Sequence, residues 1–180
     1  MLRFTRFAVM ALAALALAGC ATMKVYSHLE RGVDFAQYRT YAWGPADARP
    51  TGDPRLDSNP FFKERLEGAV EQQLATKRFE KSTATTPDLL LHYHASITQR
   101  FDVNTVDRDR GYCADNCEPT VSDYDEGTLV LDIVDARTNK VVWRGSARGV
   151  VNGLIDNQHL MEQKIDEAVR RMLEPLPRHL

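Results

Sequence analysis

The chain has 180 residues, room for one domain of ordinary size. Hydrophobic residues make up 43% and charged residues 27%, with 10 Gly, 8 Pro and 3 Cys, which excludes collagen, wholesale disorder and a small disulfide scaffold. Residues 1–19 hold Arg3 and Arg6 and no acid, so the remainder sets 21 bases against 25 acids, and this weakly acidic body argues against nucleic acid as the main partner.

The first segment reads as an address. Arg3 and Arg6 form a positive flank, and Phe7 to Ala18 is an apolar run of 12 residues. A membrane-spanning helix needs about 20, so the run has the length of a signal-peptide core. It closes in Leu17-Ala18-Gly19-Cys20. Two small residues suit a protease that seats the chain extended in a narrow groove, and the Cys offers a thiol for alkylation by diacylglycerol. This order resembles the lipobox of bacterial lipoproteins; the other reading is an ordinary secretory signal with Cys20 there by chance. The resemblance implies cleavage before Cys20 and an acylated N-terminus, whose several chains anchor stably at roughly 0.8 kcal/mol per buried methylene. By analogy with lipoproteins that carry Asp after the Cys and stay in the inner membrane, Ala21 implies an outer-membrane address with the domain in the periplasm.

Residues 20–32 read as a lipidated tether and 33–180 as one globular domain. Val33 to Trp43 is rich in aromatic and β-favouring residues and predicts a strand. Pro45, Pro50, Gly52 and Pro54 predict a loop over 44–57. Asn59 as N-cap and Pro60 at the first helical position open a helix over 60–78, with Phe62, Leu66, Ala69, Val70 and Leu74 as one apolar stripe. Leu89, Leu91, Tyr93, Ala95 and Ile97 alternate with mostly polar residues, predicting a half-buried strand. Residues 99–126, with 8 acids and 3 bases, read as a long polar loop, functional or mobile.

Thr128–Val134 and Val141–Val150 read as strands with Leu129, Leu131 and Ile133 on one face of the first and Val141, Trp143, Gly145 and Ala147 on one face of the second. Same-face residues must pair, so paired numbers sum to an even value. A sum of 276 leaves Arg137-Thr138-Asn139 as the loop, with Asn139 in the left-handed position, Ile133 opposite Trp143 and Asp132 opposite Arg144. Met161, Ile165, Ala168 and Met172, flanked by Val169 and Leu173, stripe a last helix over about 157–173, ended by Pro175 and Pro177. The order β-α-β-β-β-α predicts an α/β (α+β) two-layer sandwich, a mixed sheet of about four strands with both helices on one face. Strands two to four should form an antiparallel meander, and strand one should join strand two by a parallel crossover.

Four stretches in order carry a family resemblance: Asp34-Phe35-Ala36-Gln37-Tyr38-Arg39-Thr40-Tyr41-Ala42-Trp43, Pro87-Asp88-Leu89-Leu90-Leu91-His92-Tyr93, Glu126-Gly127-Thr128-Leu129-Val130-Leu131-Asp132-Ile133-Val134-Asp135 and Val142-Trp143-Arg144-Gly145. Over roughly residues 31–174 the chain resembles the bacterial lipoprotein domain known as domain of unknown function 4136. That resemblance implies a cell-envelope lipoprotein and supplies no catalytic residues. The loop with Cys113 and Cys117 is not part of the pattern.

The remaining chemistry is sparse. Cys113 and Cys117 in an oxidising compartment would pair as a disulfide closing a small ring, worth roughly 2 kcal/mol; a redox pair and a zinc site with His92 or His94 are the other readings. His92 and His94, two apart on a strand, share a face. They can start a metal site or simply line a solvated sheet face. Asp132, Arg144 and Arg148 join that face, as cross-strand ion pairs or as a docking surface. Asp107-Arg108-Asp109-Arg110-Gly111 with Glu118 resembles a calcium loop but has Gly111 in place of a ligand. Trp43 and Trp143 read as core, and Gly145 and Gly149 as marks of strand irregularity. No nucleophile-elbow, phosphate-loop, dinucleotide or His-Glu-x-x-His motif is present.

The expectation is a non-enzymatic lipoprotein without a cofactor or metal, held to the membrane by Cys20, docking onto another envelope protein and not nucleic acid. The alternatives are a metal-dependent hydrolase centred on His92 and His94, or a redox-responsive envelope sensor using Cys113 and Cys117.

Overall fold

In the computed structural model, which describes residues 23–45, 52–83, 86–104 and 120–179, one mixed sheet of six strands carries its helices on a single face. The strands are β1 (Lys24–Leu29), β2 (Thr40–Trp43), β3 (Glu80–Lys81), β4 (Leu89–Asn104), β5 (Thr120–Asp135) and β6 (Lys140–Val150). Their order across the sheet is β1-β6-β5-β4-β2-β3. β4, β5, β6 and β1 pair antiparallel; β2 runs parallel to both β4 and β3. The helices are α1 (Pro54–Asp57), α2 (Pro60–Thr76) and α3 (Gln158–Leu173).

Six strands replace the expected four because two local signals were weak. The tether expected over 20–32 contains β1, whose backbone adds to the edge of β6 while five of its six side chains stay exposed, so burial leaves little pattern to read. β3 is two residues long, below any periodicity. The strand expected over 33–43 shortens to β2. Asp34 accepts a hydrogen bond from the Ala36 N–H at 2.9 Å, capping a 3-10 turn at Phe35–Gln37 that turns Phe35 and Tyr38 into the core. In the expected loop 44–57, Asp53 caps α1 by accepting from the Arg55 N–H. Its other oxygen accepts from the Ile97 N–H of β4 at 3.3 Å, on the side that β2 does not reach.

Both long helices follow their sequence signals. Asn59 accepts from the Phe62 N–H and Pro60 opens α2; Phe62, Leu66, Ala69, Val70 and Leu74 are all buried. The helix ends at Thr76 rather than 78 because Arg78 takes a left-handed φ of 68°. The Phe79 N–H then reaches the Leu74 carbonyl and the Arg78 N–H the Ala75 carbonyl, closing the end with Phe79 packed into the core. In α3, Asn157 accepts from the Leu160 N–H, and Met161, Ile165, Ala168, Val169, Met172 and Leu173 are buried. Arg65 of α2 binds Glu162 at 3.1 Å and Asp166, tying the two helices together.

The β5–β6 register sums to 276 from Glu126↔Val150 to Ile133↔Trp143, so Ile133 faces Trp143 and Asp132 faces Arg144. A bulge between Ile133 and Val134 then shifts it, pairing Asp135 with Lys140 and lengthening the loop by one residue; Asn139 keeps the left-handed φ of 54°. Gly145 and Gly149 lie in uniform register, so they mark close packing and not irregularity. A Cβ on Gly145 would meet the Trp143 ring, and Met23 packs against Gly149. Trp143 is 2% exposed, whereas Trp43 is half-buried, edge-on to Tyr93 with its indole N–H on Glu71 at 2.8 Å.

Much of the expected loop over 99–126 is strand. β4 and β5 stay paired to Asn104↔Thr120, forming a hairpin arm that runs past the last core residues. Cys113, Cys117 and the Asp107–Gly111 segment lie outside the described residues, and so do the disulfide, calcium and redox readings that rest on them.

Candidate functional site

The face of the sheet opposite the helices is open and polar. Strand alternation sends Leu89, Leu91, Tyr93 and Ala95 into the core and turns His92 and His94 the other way. The registers then lay out a row across four strands, His92–Asp132–Arg144–His28. Arg144 grips Asp132 through two bonds, Nε to Oδ1 at 2.5 Å and the second guanidinium nitrogen to Oδ2 at 2.7 Å. The side chain of Asp132 is only 7% exposed, so this bidentate pair is the anchor of the face. The bond to Asp132 pushes the Arg144 pKa still higher, which keeps its charge fixed at any working pH.

A second cluster, centred on Glu126, sits three same-face rungs along β5 from Asp132. Glu126 takes Arg100 at 3.2 Å and lies 3.8 Å from Arg148. Between the clusters stand His94, Val130, Ser146 and Tyr26 in one row, with Tyr26 67% exposed. All five residues expected on this face, His92, His94, Asp132, Arg144 and Arg148, are therefore together. Sequence reasoning missed Lys24, Tyr26 and His28, because their strand was read as tether, and Arg100 and Glu126, because theirs was read as loop. The alternation of Val25 and Leu29 with Lys24, Tyr26 and His28 is the one signal that pointed to β1.

His92 owes its position to a glycine. A Cβ on Gly44 would collide with the imidazole, so the ring lies over the bare backbone where β2 ends. Gly44→Ala is expected to cost about 1–3 kcal/mol by overpacking. His92→Ala placed on top should recover at least about 1 kcal/mol of that, a coupling measurable by denaturant titration of the four proteins of the cycle. Among the described residues, no three His, Cys, Asp or Glu side chains come together in a way that could hold a metal ion.

The residues that carry the family resemblance do something else. The Tyr38 hydroxyl donates to Asp135 Oδ2 at 2.8 Å, and Asp135 Oδ1 accepts from the Arg137 and Thr138 amides at 2.8 and 2.9 Å. Asp88 Oδ2 accepts from the Arg39 and Thr40 amides and from the Thr40 hydroxyl. Burial pushes both carboxyl pKa values up, but the hydrogen bonds outweigh it and hold both below the usual carboxylate range. Burial and the Asp135 bond raise Tyr38 to about 12. The Tyr38 hydroxyl, Asp88 Oδ2 and both Asp135 oxygens are engaged in these bonds, which tie Tyr38 and the start of β2 to β4 and to the end of β5.

A small apolar cavity of about 60 Å³ lies between sheet and helices near Met23, Phe62, Ile97, Leu129, Val151 and Ile165. Among the described residues no helix is long and apolar enough to cross a membrane.

Residues 25–178 match the model of the family described as Domain of unknown function (DUF4136). The chain belongs to the DUF4136 family. A solved DUF4136 family protein from Bacteroides thetaiotaomicron is 15% identical and superposes with a TM-score of 0.52 over 84% of this chain and 94% of that one. A PelC dodecamer from Paraburkholderia phytofirmans is 9% identical, with a TM-score of 0.50 over 88% of this chain and 100% of that one. At these identities the likeness is one of fold. No curated protein matches the chain. The DUF4136 signature now has a physical content: Asp34, Tyr38, Asp88 and Asp135 are caps and clamps, and Gly145 makes room for Trp143.

Proposed function

We propose that this DUF4136 protein is a lipid-anchored cell-envelope protein whose domain is a non-enzymatic binding module, docking onto another envelope component through the open face of the sheet. The observation that carries the reading is the layout of that face. Its charges are pre-organised by Asp132–Arg144 and by Glu126 with Arg100 and Arg148, while an exposed Tyr26 and the row around Ser146 supply contact area between them. Aromatic and arginine side chains on a rigid sheet are the usual anchors of protein interfaces. The anchor rests on the run Phe7–Ala18 ending at Leu17-Ala18-Gly19-Cys20, and Ala21 supports the outer membrane as its address.

Two measurements on one strain test it. Radioactive palmitate should label the protein and Cys20→Ser should abolish the label; persistence of label removes the anchor. A photo-crosslinking residue at Ser146 should give one discrete adduct in intact cells, and the same residue at Gln163 on the exposed side of α3 should not. Adducts of equal yield at both positions, or none at Ser146, would remove the docking face.

A further inference from the structure

We propose that the β4–β5 arm is the membrane-facing end of the domain, its apolar flank around Phe101 and Val121 resting on the zwitterionic phospholipid surface that holds the anchor. The inference builds on the lipidation of Cys20 proposed above.

Three observations converge. First, the fold begins almost at the anchor. Met23 is buried at 8% exposure and β1 starts at Lys24, so only two residues, Ala21 and Thr22, separate Cys20 from the core. That chain reaches at most about 10–11 Å. The domain therefore sits close against the bilayer instead of hanging from a long tether.

Second, the registers put the anchor and the arm at the same end of the sheet. Lys24 pairs with Arg148, Arg148 with Thr128, and Thr128 with Ser96, so all four stand at one level. From that level β1 runs backwards towards Cys20 in the direction in which β4 runs on towards the arm. Phe101 is five residues beyond Ser96 along β4, about 17 Å at the rise of a strand. Cys20 is four residues before Lys24, about 14 Å away when fully extended. The two reaches agree to within about 3 Å, so with the sheet tilted to lay the arm's flank on the bilayer, Phe101 and the anchored sulfur can meet the same surface.

Third, the surface there is apolar where it should be wet. Phe101 is 67% and Val121 60% exposed. The β4–β5 register is uniform to the end of the arm, so both continue the core-facing side of their strands past the end of the core. They are diagonal neighbours, Phe101 opposite Asp123 and Val121 opposite Val103, close enough to form one patch. Aromatic side chains favour the headgroup level of a bilayer. The neighbouring Asp123 already accepts from Gln99 at 2.9 Å. Its remaining oxygen suits the ammonium of an ethanolamine headgroup.

The test uses the lipidated full-length mature protein in phosphatidylethanolamine-rich vesicles with brominated acyl chains. Phe101→Trp should gain about threefold more bromine quenching than Leu29→Trp, which marks the opposite end of β1. Both sites are exposed in the native protein, so both variants keep the fold. A protein that floats with the vesicles but shows equal quenching at the two positions overturns the orientation and leaves the anchor standing. A protein that carries no palmitate and does not float overturns the anchor and this orientation with it. A crosslinker at Phe101 that captures a protein in place of lipid, with no quenching, also overturns it.

Discussion

Gly145→Ala is expected to destabilise the domain by about 3 kcal/mol, the upper end of ordinary overpacking. Gly145 stands in a cross-strand row with Tyr93, Leu131 and Ser27, and the Trp143 ring, from the row beside it, lies over its bare backbone. The indole is 2% exposed and enclosed by the core, so it has nowhere to go. An added methyl must push the ring towards α3 or bend β6. Denaturant unfolding measures the loss. A drop below about 1 kcal/mol would mean that the ring can shift without cost. Trp143→Leu in the Gly145→Ala background should win back part of the loss, because the smaller side chain clears the new methyl.

Asp135→Ala is expected to cost about 3 kcal/mol at neutral pH. The change removes the acceptor for the Tyr38 hydroxyl and for two loop amides and leaves the buried hydroxyl without its partner. The pH dependence follows from the direction of the shift. The folded carboxyl titrates below the usual carboxylate range, so its contribution is complete above the unfolded pKa and is lost as pH falls through the folded one. The gap between wild type and variant should therefore close in acid, below about pH 4. Asp88, shifted the same way, keeps a residual acid sensitivity in the variant. A gap that stays constant down to pH 2 would mean that the charge on Asp135 does not matter to the fold. Tyr38→Phe should lose less, about 1 kcal/mol, since the two amides still hold the carboxylate. Phenol absorbance should place the native Tyr38 titration near pH 12.

Much of the candidate face was legible because strand alternation is a strict rule. Once 89–97, 128–134 and 141–150 read as strands, the parity of His92, His94, Asp132, Arg144 and Arg148 put all five on one side. The pairing of Asp132 with Arg144 followed from a single number, the register sum, which the bulge left untouched up to Ile133. Lys24, Tyr26 and His28 escaped because an edge strand draws its order from hydrogen bonds to β6 and buries few side chains, and hydrogen bonds leave no trace in composition. The arm escaped for a related reason. Strands that run beyond the core carry too few apolar residues for an alternation to show, so acids at 102, 123, 125 and 126 read as loop despite Phe101 and Val121.

What this sequence determined by itself was local. Asn59 and Asn157 set where the long helices begin, their stripes set which sides are buried, and alternation set the two faces of the central strands; each depends on residues within a turn or two. The extent of the sheet, the clamp of Tyr38 and Asp88 on distant strands and the meeting of the start of β1 and the arm at one end were decided only in three dimensions. They depend on pairings between residues as far apart as Tyr38 and Asp135, and such pairings form only when the chain between them has folded.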